Sequence, residues 1–516
     1  MEGERKFNQL KQAKEDAVSE AASFEGEELS VAPGEIGHEV SADKAGSFYN
    51  KLESAHDEKQ KERLRVTIAI VEAVQEAGGR ALVVGGYVRD EVLARLGQEI
   101  RSKDIDIEVY GLEFERLRDI LQTFGEVGVV GASFQVIKMG DIDISIPRRD
   151  SKTGLGHKDF IVTGDPSMSV AEAARRRDFT MNALAMDPLT GEIIDEYGGV
   201  EDIKSKTLRA TDKELFGDDP LRVLRAMQFS GRFGFSIDKE TLELCRRLEL
   251  RSLSRERIGE EWAKLLLLSK KPSIGLEAAR QLGILDQLHP EIRALIDVPQ
   301  EEAWHPEGDV WTHTKMAIDA AAEIVRRENL DKEEAAVVMY GALCHDLGKP
   351  ITTAKDSRGR IISHGHADAG VEPAKSFFYA VNVPQKVSDK VTRIIKDHLF
   401  PALNEQPTDA AVRRLAARLS PATIQEFLWV AEADHRGRDI EWDGFPPAET
   451  LLSRATELKI GMSAPEPILM GRHLLELGMK PGPNFGKILR AVYDAQLSGD
   501  VTTIEEAKNS AQKFSI

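Results

Sequence analysis

Two cysteines, Cys245 and Cys344, are all that 516 residues contain. They stand far apart with no pairing pattern. This argues against a disulfide scaffold or a cysteine zinc site, and for a reducing compartment. Long hydrophobic runs are also lacking: the longest, such as Leu265 to Leu268, are far too short to span a bilayer. The opening residues, MEGERKFNQLKQAKED, have no apolar core, so no secretory signal is expected there. These absences predict a cytoplasmic protein that does not contact a membrane. Basic residues are in deficit, 69 Lys+Arg against 87 Asp+Glu, for a net charge of -18. Bulk charge therefore argues against nucleic acid, but binding follows local patches. The basic residues do cluster, at Arg148-Arg149, Arg175-Arg176-Arg177, Arg246-Arg247 and Arg251 to Arg257. There is no internal repeat and no low-complexity tract. With 41% hydrophobic residues, 30% charged residues and a mean hydropathy of -0.32, the chain can form soluble domains, and its length calls for several.

The stretch from Ala81 to Gly111 organises what is present. Ala81 to Val84 reads as a buried strand, Gly85-Gly86 as a tight turn, and Tyr87 to Leu96 as a helix. A helix N-terminus behind glycines offers free N–H groups to a phosphate at close range. Asp104-Ile105-Asp106-Ile107-Glu108-Val109 then alternates strictly, so period two places Asp104, Asp106 and Glu108 on one strand face. Asp-x-Asp alone would read as a solvated face. Beside a phosphate-binding turn it suits a pair of Mg²⁺ ions. GGYVRD followed by DID resembles the signature of class II nucleotidyltransferases, the family of tRNA CCA-adding enzymes and bacterial poly(A) polymerases.

The rest of the chain extends that resemblance. Glu58 to Ala77 carries Leu64, Thr67, Ile68, Val71 and Val74 at helical spacing, and Glu113 to Phe124 carries Leu117, Ile120 and Leu121. Strands are expected at Ser133 to Met139 and Asp141 to Ile146. The resemblance implies a third catalytic acid there, Asp143 rather than Asp141. RRRDFTMNALAMD matches the family's Arg-Arg-Asp-x-Thr-x-Asn-Ala. Arg177 suits triphosphate oxygens, and Asp178 and Asn182 suit ribose hydroxyls. DPLTGEIIDEYGGVEDIKSKTLRAT reads as a hairpin, a Gly-Gly turn and a short helix. In FGDDPLRVLRA, Asp219 fits an N-cap and Pro220 a first helical turn. Asp219 and Arg222 also share a helix face, where a carboxylate and a guanidinium can read the Watson–Crick edges of C and A and reject G and U. The stretch resembles the family's Glu-Asp-x-x-Arg, with Arg225 one turn further along. It departs from the pattern at Asp218, where the family has Glu, and at Gln228, where it has Arg. Ser254 to Leu267 reads as a capped helix matching Ser-x-Glu-Arg-Ile-x-x-Glu.

Histidines appear after Pro299. His313, His345-Asp346 and Asp434 fall in the order His…His-Asp…Asp, which resembles the HD phosphohydrolase superfamily. The resemblance implies a metal held by these residues, with His366 and His398 serving a second ion or a phosphate. Imidazole with carboxylate suits a transition metal such as Mn or Ni more than Mg²⁺. LMGRHLLELGMKPGPNFGKILRAVYDAQLSG resembles the C-terminal element of CCA-adding enzymes, with Lys480, Lys487 and Arg490 placed for phosphates. A plain helical hairpin reads equally well.

The expected fold is α+β. A polar extension (1–57) precedes a small mixed-sheet nucleotidyltransferase head (58–187), a helical neck (188–298), an HD domain (299–447) and a helical tail (448–516). The implied reaction is Mg²⁺-dependent transfer of CMP and AMP from CTP and ATP to a tRNA 3′ end. Asp104, Asp106 and Asp143 would be catalytic. Gly85, Gly86, Arg89, Arg177, Asp178, Asn182, Asp219, Arg222 and Arg225 would bind nucleotide. The HD site would hydrolyse 2′,3′-cyclic or 2′-phosphates. A poly(A) polymerase, a CC-only or A-only enzyme, and an HD phosphohydrolase whose head only binds RNA are the alternatives. Nothing in the sequence points to a protein partner.

Overall fold

The computed structural model describes residues 47–55, 57–98, 104–130, 136–152, 160–403, 406–439 and 444–513. Most of the polar extension, and the start of the strand expected at Ser133, lie outside them. The chain forms two compact units, Met1–Asp218 and Asp219–Ile516.

The first unit is built on β1 (Arg80–Val84), β2 (Ile105–Tyr110), β3 (Gly128–Val130), β4 (Val136–Met139), β5 (Ile142–Ser145), β6 (Arg148–Lys152), β7 (Phe160–Gly164), β8 (Ala185–Met186) and β9 (Ile193–Ile194). Seven of these form one sheet in the order β3-β4-β5-β2-β1-β8-β9, while β6 and β7 pair separately. Among the described strands of this unit only β2 and β5 run parallel, and their register sets Asp106 beside Asp143. The apolar run of β1 is buried throughout, as are Ile105, Ile107 and Val109 of β2. Helix α1 (Phe48–Ser54) precedes α2 (Glu58–Glu76), which buries Leu64, Thr67, Ile68, Ile70, Val71 and Val74. Helix α3 (Gly86–Arg95) leaves the turn at Gly85, where φ is +72°, a conformation that glycine adopts without strain. Helix α4 (Phe114–Gln122) buries Leu117 and Leu121, with Ile120 half-buried.

Two features depart from the expected boundaries. Residues 47–54, assigned to the polar extension, pack as α1. Phe48 is fully buried with its ring 5.5 Å from that of Tyr87, its N–H donates to the Pro188 carbonyl at 2.8 Å, and Lys51 pairs with Glu91 at 2.5 Å. One phenylalanine and one lysine anchoring to residues far along the chain leave no local period to read. The head sheet also continues past residue 187, since β9 completes it.

Helix α5 (Val170–Arg175) ends inside the RRRD motif, and Thr180–Asn182 forms a single 3₁₀ turn. Helix α6 (Gly199–Lys204) closes on that turn: Thr180 Oγ1 donates to Asp202 at 2.7 Å, and a Cβ on Gly199 would stand 2.2 Å from the Thr180 carbonyl oxygen.

The second unit is almost wholly helical. Helices α7 (Leu221–Phe233), α8 (Arg255–Leu268) and α9 (Pro272–Gln281) pack closely through glycine. A Cβ at Gly231 or Gly275 would lie 2.3 or 2.2 Å from Leu265. Helices α10 (Val310–Arg327), α11 (Lys332–Cys344), α12 (Gln385–Asp397) and α13 (Ile424–Arg436) follow. The tail helices α14 (Gly471–Glu476), α15 (Pro483–Ser498) and α16 (Ile504–Lys513) share a small core of their own around Leu474, Ile488 and Val492. Among the described residues no helix is long and apolar enough to cross a membrane.

Gly199→Ala should destabilise the head by about 1–3 kcal/mol, the usual cost of forcing extra volume into a packed site. A lowered thermal midpoint is the expected readout, and an unchanged one would show that the Thr180 turn moves aside without cost.

Candidate active sites

In the head, β2 and β5 bring carboxylates together within reach of the Arg177 charge. Asp106 and Asp143 are register partners, and Asp104 stands just ahead of β2. Asp106 is open to solvent, yet the surrounding protein raises its carboxyl pKa through desolvation, and Asp143 and Asp104 raise it further; Arg177 and Lys138 pull the other way. Lys138, opposite Asp143 across β4 and β5, pairs with it at 3.1 Å. These acids do not converge as tightly as the ligands of the second unit described below.

The turn itself is covered by arginine. Arg177 Nη1 lies 2.7 Å from where a Cβ on Gly85 would stand, so only glycine admits the guanidinium there. Because α5 stops at Arg175, that arginine parts from the other two, which share one carboxylate. Arg175 pairs with Asp212 at 2.5 Å and Glu214 at 3.0 Å, Arg176 with Glu108 at 2.8 Å, and Arg177 reaches over the turn with Glu108 3.7 Å away. Glu108 was read only as a third acid on the carboxylate face. It is in fact 2% exposed and accepts from the Tyr110 hydroxyl at 2.8 Å. Burial opposes its charge, but the Arg177 and Arg176 guanidiniums hold it below the usual carboxylate range.

Arg89, expected on the triphosphate, is 6% exposed and committed elsewhere. Its Nε and Nη2 donate to Asp90 at 2.9 and 2.7 Å, and Nη1 donates to Asn182 Oδ1 at 2.7 Å. A guanidinium so enclosed and ion-paired lies against Gly86 and orients Asn182. Asn182 Nδ2 in turn donates to Asp178 Oδ1 at 2.9 Å. In the second unit, Asp219 Oδ1 accepts the Leu221 N–H at 3.1 Å and Oδ2 accepts from Arg257 at 2.7 Å. Asp219 thus supplies the cap, while the helix begins one residue later than expected. Arg222 lies in the first turn of α7, and the Arg225 guanidinium covers the Phe229 ring at 5.0 Å.

The second centre gathers His313 from α10, His345 and Asp346 after α11, His366, His398 at the end of α12, and Asp434 from α13. His313 Nε2 lies 3.2 Å from His345 Nε2, 3.1 Å from Asp434 and 3.9 Å from Asp346. On the other side of Asp346, His366 Nε2 is 3.5 Å from its Oδ1 and 3.1 Å from His398 Nε2. Every ring has its Nδ1 fixed on an acceptor, so each Nε2 faces inward: Glu307 for His313 at 2.8 Å, and the carbonyls of Ala342, Ser363 and Ile395 for His345, His366 and His398 at 2.9, 2.7 and 2.6 Å. This is the support that metal-binding imidazoles receive from their outer partners.

Three or more such groups converge within 4.8 Å in His313-His345-Asp346 and in Asp346-His366-His398, with Asp346 common to both. Asp346 Oδ1 is buried without a hydrogen bond, as an oxygen kept for a cation would be, while Oδ2 lies 2.8 Å from the Lys349 ammonium and 3.1 Å from His345 Nε2. Burial would lower His313, but Asp434 and Glu307 raise it to about 9, while burial pushes His398 down to about 4. The residues fit a metal, and two ligand sets meet on one carboxylate. Sequence reasoning missed Glu307 and Lys349. Lys349, 7% exposed, lies 2.8 Å from Asp346 and donates to Gln300 at 2.6 Å. Their only signal was spacing, six residues before His313 and three after Asp346.

The mixed sheet, glycine turn and carboxylate pair, together with the His/Asp centre, define a nucleotidyltransferase with a fused HD domain. Family models agree: "Poly A polymerase head domain" matches 81–209, "Probable RNA and SrmB-binding site of polymerase A" matches 234–296, and "HD domain" matches 310–440. The multifunctional CCA protein of Stenotrophomonas maltophilia (strain K279a) is 34% identical over 381 residues, 72% of this chain and 89% of its own length. That of Xanthomonas campestris pv. campestris (strain B100) is 33% identical over 430 residues, 81% and 97% of the two chains. The chain belongs to the multifunctional CCA protein family. In fold it resembles the Bacillus stearothermophilus CCA-adding enzyme in complex with CTP, with a TM-score of 0.59, 24% identity and coverage of 87% of this chain and 96% of that one. It also resembles the Thermotoga maritima CCA-adding enzyme complexed with tRNA, with a TM-score of 0.54, 19% identity and coverage of 90% and 98%.

Two outcomes follow. The raised Asp106 carboxyl means that folding disfavours its charge, so Asp106→Asn should melt at the same temperature as the unchanged protein or higher in chelator, and should lose any stabilisation by Mg²⁺. A lower melting temperature in chelator would contradict a carboxylate charge that folding disfavours. Glu307→Gln should weaken metal binding at the HD centre by about 10–100-fold, as loss of an outer-shell partner does. Calorimetric titration with Mn²⁺ or Ni²⁺ reads this, and unchanged affinity would leave Glu307 without a supporting role.

Proposed function

We propose that the head and neck add CMP and AMP, from CTP and ATP, to tRNA 3′ ends without a nucleic-acid template, and that the HD centre hydrolyses 2′,3′-cyclic or 2′-phosphates. The observation that carries the first part is the register pair Asp106 and Asp143 beside a glycine turn covered by Arg177. Asp104, Asp106 and Asp143 would hold Mg²⁺, which when bound favours the deprotonated 3′-hydroxyl and neutralises departing pyrophosphate. Gly85, Gly86 and Arg177 receive the triphosphate. Asp178 and Asn182 position the ribose, with Arg89 acting on Asn182. Asp219 accepts from the exocyclic amine of C or A, and Arg222 donates to the adjacent ring nitrogen. Asp219, held by Arg257, is preset for this contact. Relatives named as multifunctional CCA proteins, and solved CCA-adding enzymes complexed with CTP, ATP and tRNA, support the same reading.

At the HD centre, His313, His345, Asp346 and Asp434 would hold a transition metal, and His366 and His398 would hold a second ion or the substrate phosphate. A metal there supplies an activated water at neutral pH. The imidazole-rich donor set favours Mn²⁺ or Ni²⁺ over Mg²⁺.

The test uses tRNA transcripts ending before CCA, after C and after CC, with CTP, ATP or both, resolved at single-nucleotide length. Growth by CCA that then stops is expected. Stopping at CC, addition of A alone, or a long ATP ladder would replace the reading with a partial-addition enzyme or a poly(A) polymerase. Asp104→Ala should lose incorporation by at least about a thousandfold while keeping hydrolysis of 2′,3′-cyclic AMP, and Asp346→Ala should show the reverse. Incorporation that survives Asp104→Ala would remove the transferase assignment.

A further inference from the structure

We propose that Glu108 is a positioning residue of the transferase: a buried anion that holds Arg177 over the glycine turn and away from the metal-binding carboxylates. The proposal rests on the transferase reading above. Arg177 has two possible anionic partners. On one side stand Asp106, Asp143 and Asp104, and the Arg177 charge is felt at Asp106. On the other is Glu108, two residues along β2, with Oε2 3.7 Å from Arg177 Nη2. Arg177 Nη1 itself packs on Gly85, in the space a side chain there would need.

Glu108 cannot itself serve a metal beside Asp106. It is 2% exposed, Oε1 accepts from Arg176 at 2.8 Å, and Oε2 accepts from the Tyr110 hydroxyl at 2.8 Å. Such a carboxylate is fixed in place, and its remaining reach is toward Arg177. An arginine beside three neighbouring carboxylates would otherwise be drawn onto them, where it would compete with Mg²⁺ and leave the triphosphate without its donor. Glu108 supplies the counter-pull. The strand's alternation places it on the same face as the acids it protects.

The specific signature is therefore in the metal and the nucleotide together. In Glu108→Gln, KM for CTP and ATP should rise about tenfold, the scale of one charge-assisted hydrogen bond, and the Mg²⁺ concentration for half-maximal rate should rise several-fold. The kcat at saturating Mg²⁺ and nucleotide should stay within about threefold, because no group touching the reacting atoms is lost. Glu108→Asp keeps the charge on a shorter arm. It should leave the Mg²⁺ requirement near that of the unchanged protein and raise KM less. Its retained charge keeps the test open should the Gln variant fail to fold, since an unaltered KM in Glu108→Asp would itself overturn the proposal. A fall in kcat at unchanged KM and Mg²⁺ dependence, or no change at all, would also overturn it. Absence of incorporation by the unchanged protein would instead defeat the transferase reading.

Discussion

β2 and β5 run parallel, and their pairing sets two carboxylates side by side at one register position. Like charges so placed repel, and much of the head is arranged around that repulsion. Lys138 faces Asp143 from the next strand. Arg177 lends positive charge to Asp106. An arginine needs its own support to remain there, and the buried Glu108, with Tyr110 and Arg176 around it, is the adjoining anion. The glycine at 85 then has two reasons to be glycine: its positive φ and the guanidinium packed against it.

The HD centre meets the same difficulty with different groups. Asp346 and Asp434 are held well below the usual carboxylate range: burial opposes their charge, and the His345 imidazole heads the groups that favour it. Fixing each Nδ1 on a carbonyl or on Glu307 removes the choice of ring orientation and leaves four Nε2 atoms around one carboxylate. Rigidity of this kind is set by helix ends. His345 and His398 each follow the last turn of a helix, where a carbonyl three residues back is available to accept.

What the sequence revealed was what is local. The apolar run, the Gly-Gly turn and the alternating strand are short-range patterns, and β1, the turn, α3 and β2 followed them. Resemblance supplied the order of the HD residues, and the structure gathers those residues at one place. Contacts between distant segments stayed hidden. Nothing in IDIEVY distinguishes Glu108 from Asp106, because its burial depends on Arg176, 68 residues later. The RRRD run gives no sign that α5 ends at Arg175, which pairs with Asp212 and Glu214 while Arg176 and Arg177 share Glu108. Arg89 looked like a phosphate ligand because it follows the glycines. Only the fold shows it turned inward to Asp90 and Asn182. Phe48 lay in a stretch whose composition gave no reason to expect a docked helix.

The two donor sets also separate the chemistry within one chain. Oxygen from Asp104, Asp106 and Asp143 alone, on a solvent-reachable edge, matches a hard, hydrated ion that keeps several waters. In the proposed assignment, imidazole nitrogen with buried carboxylate matches softer ions by affinity order, and Mg²⁺ gives up its waters reluctantly. A cell rich in Mg²⁺ and poor in free transition metal would then load the first site by abundance and the second by affinity. Neither ion would need to be kept from the other's site by a barrier. The selection lies in which side chains the strands and helix ends present.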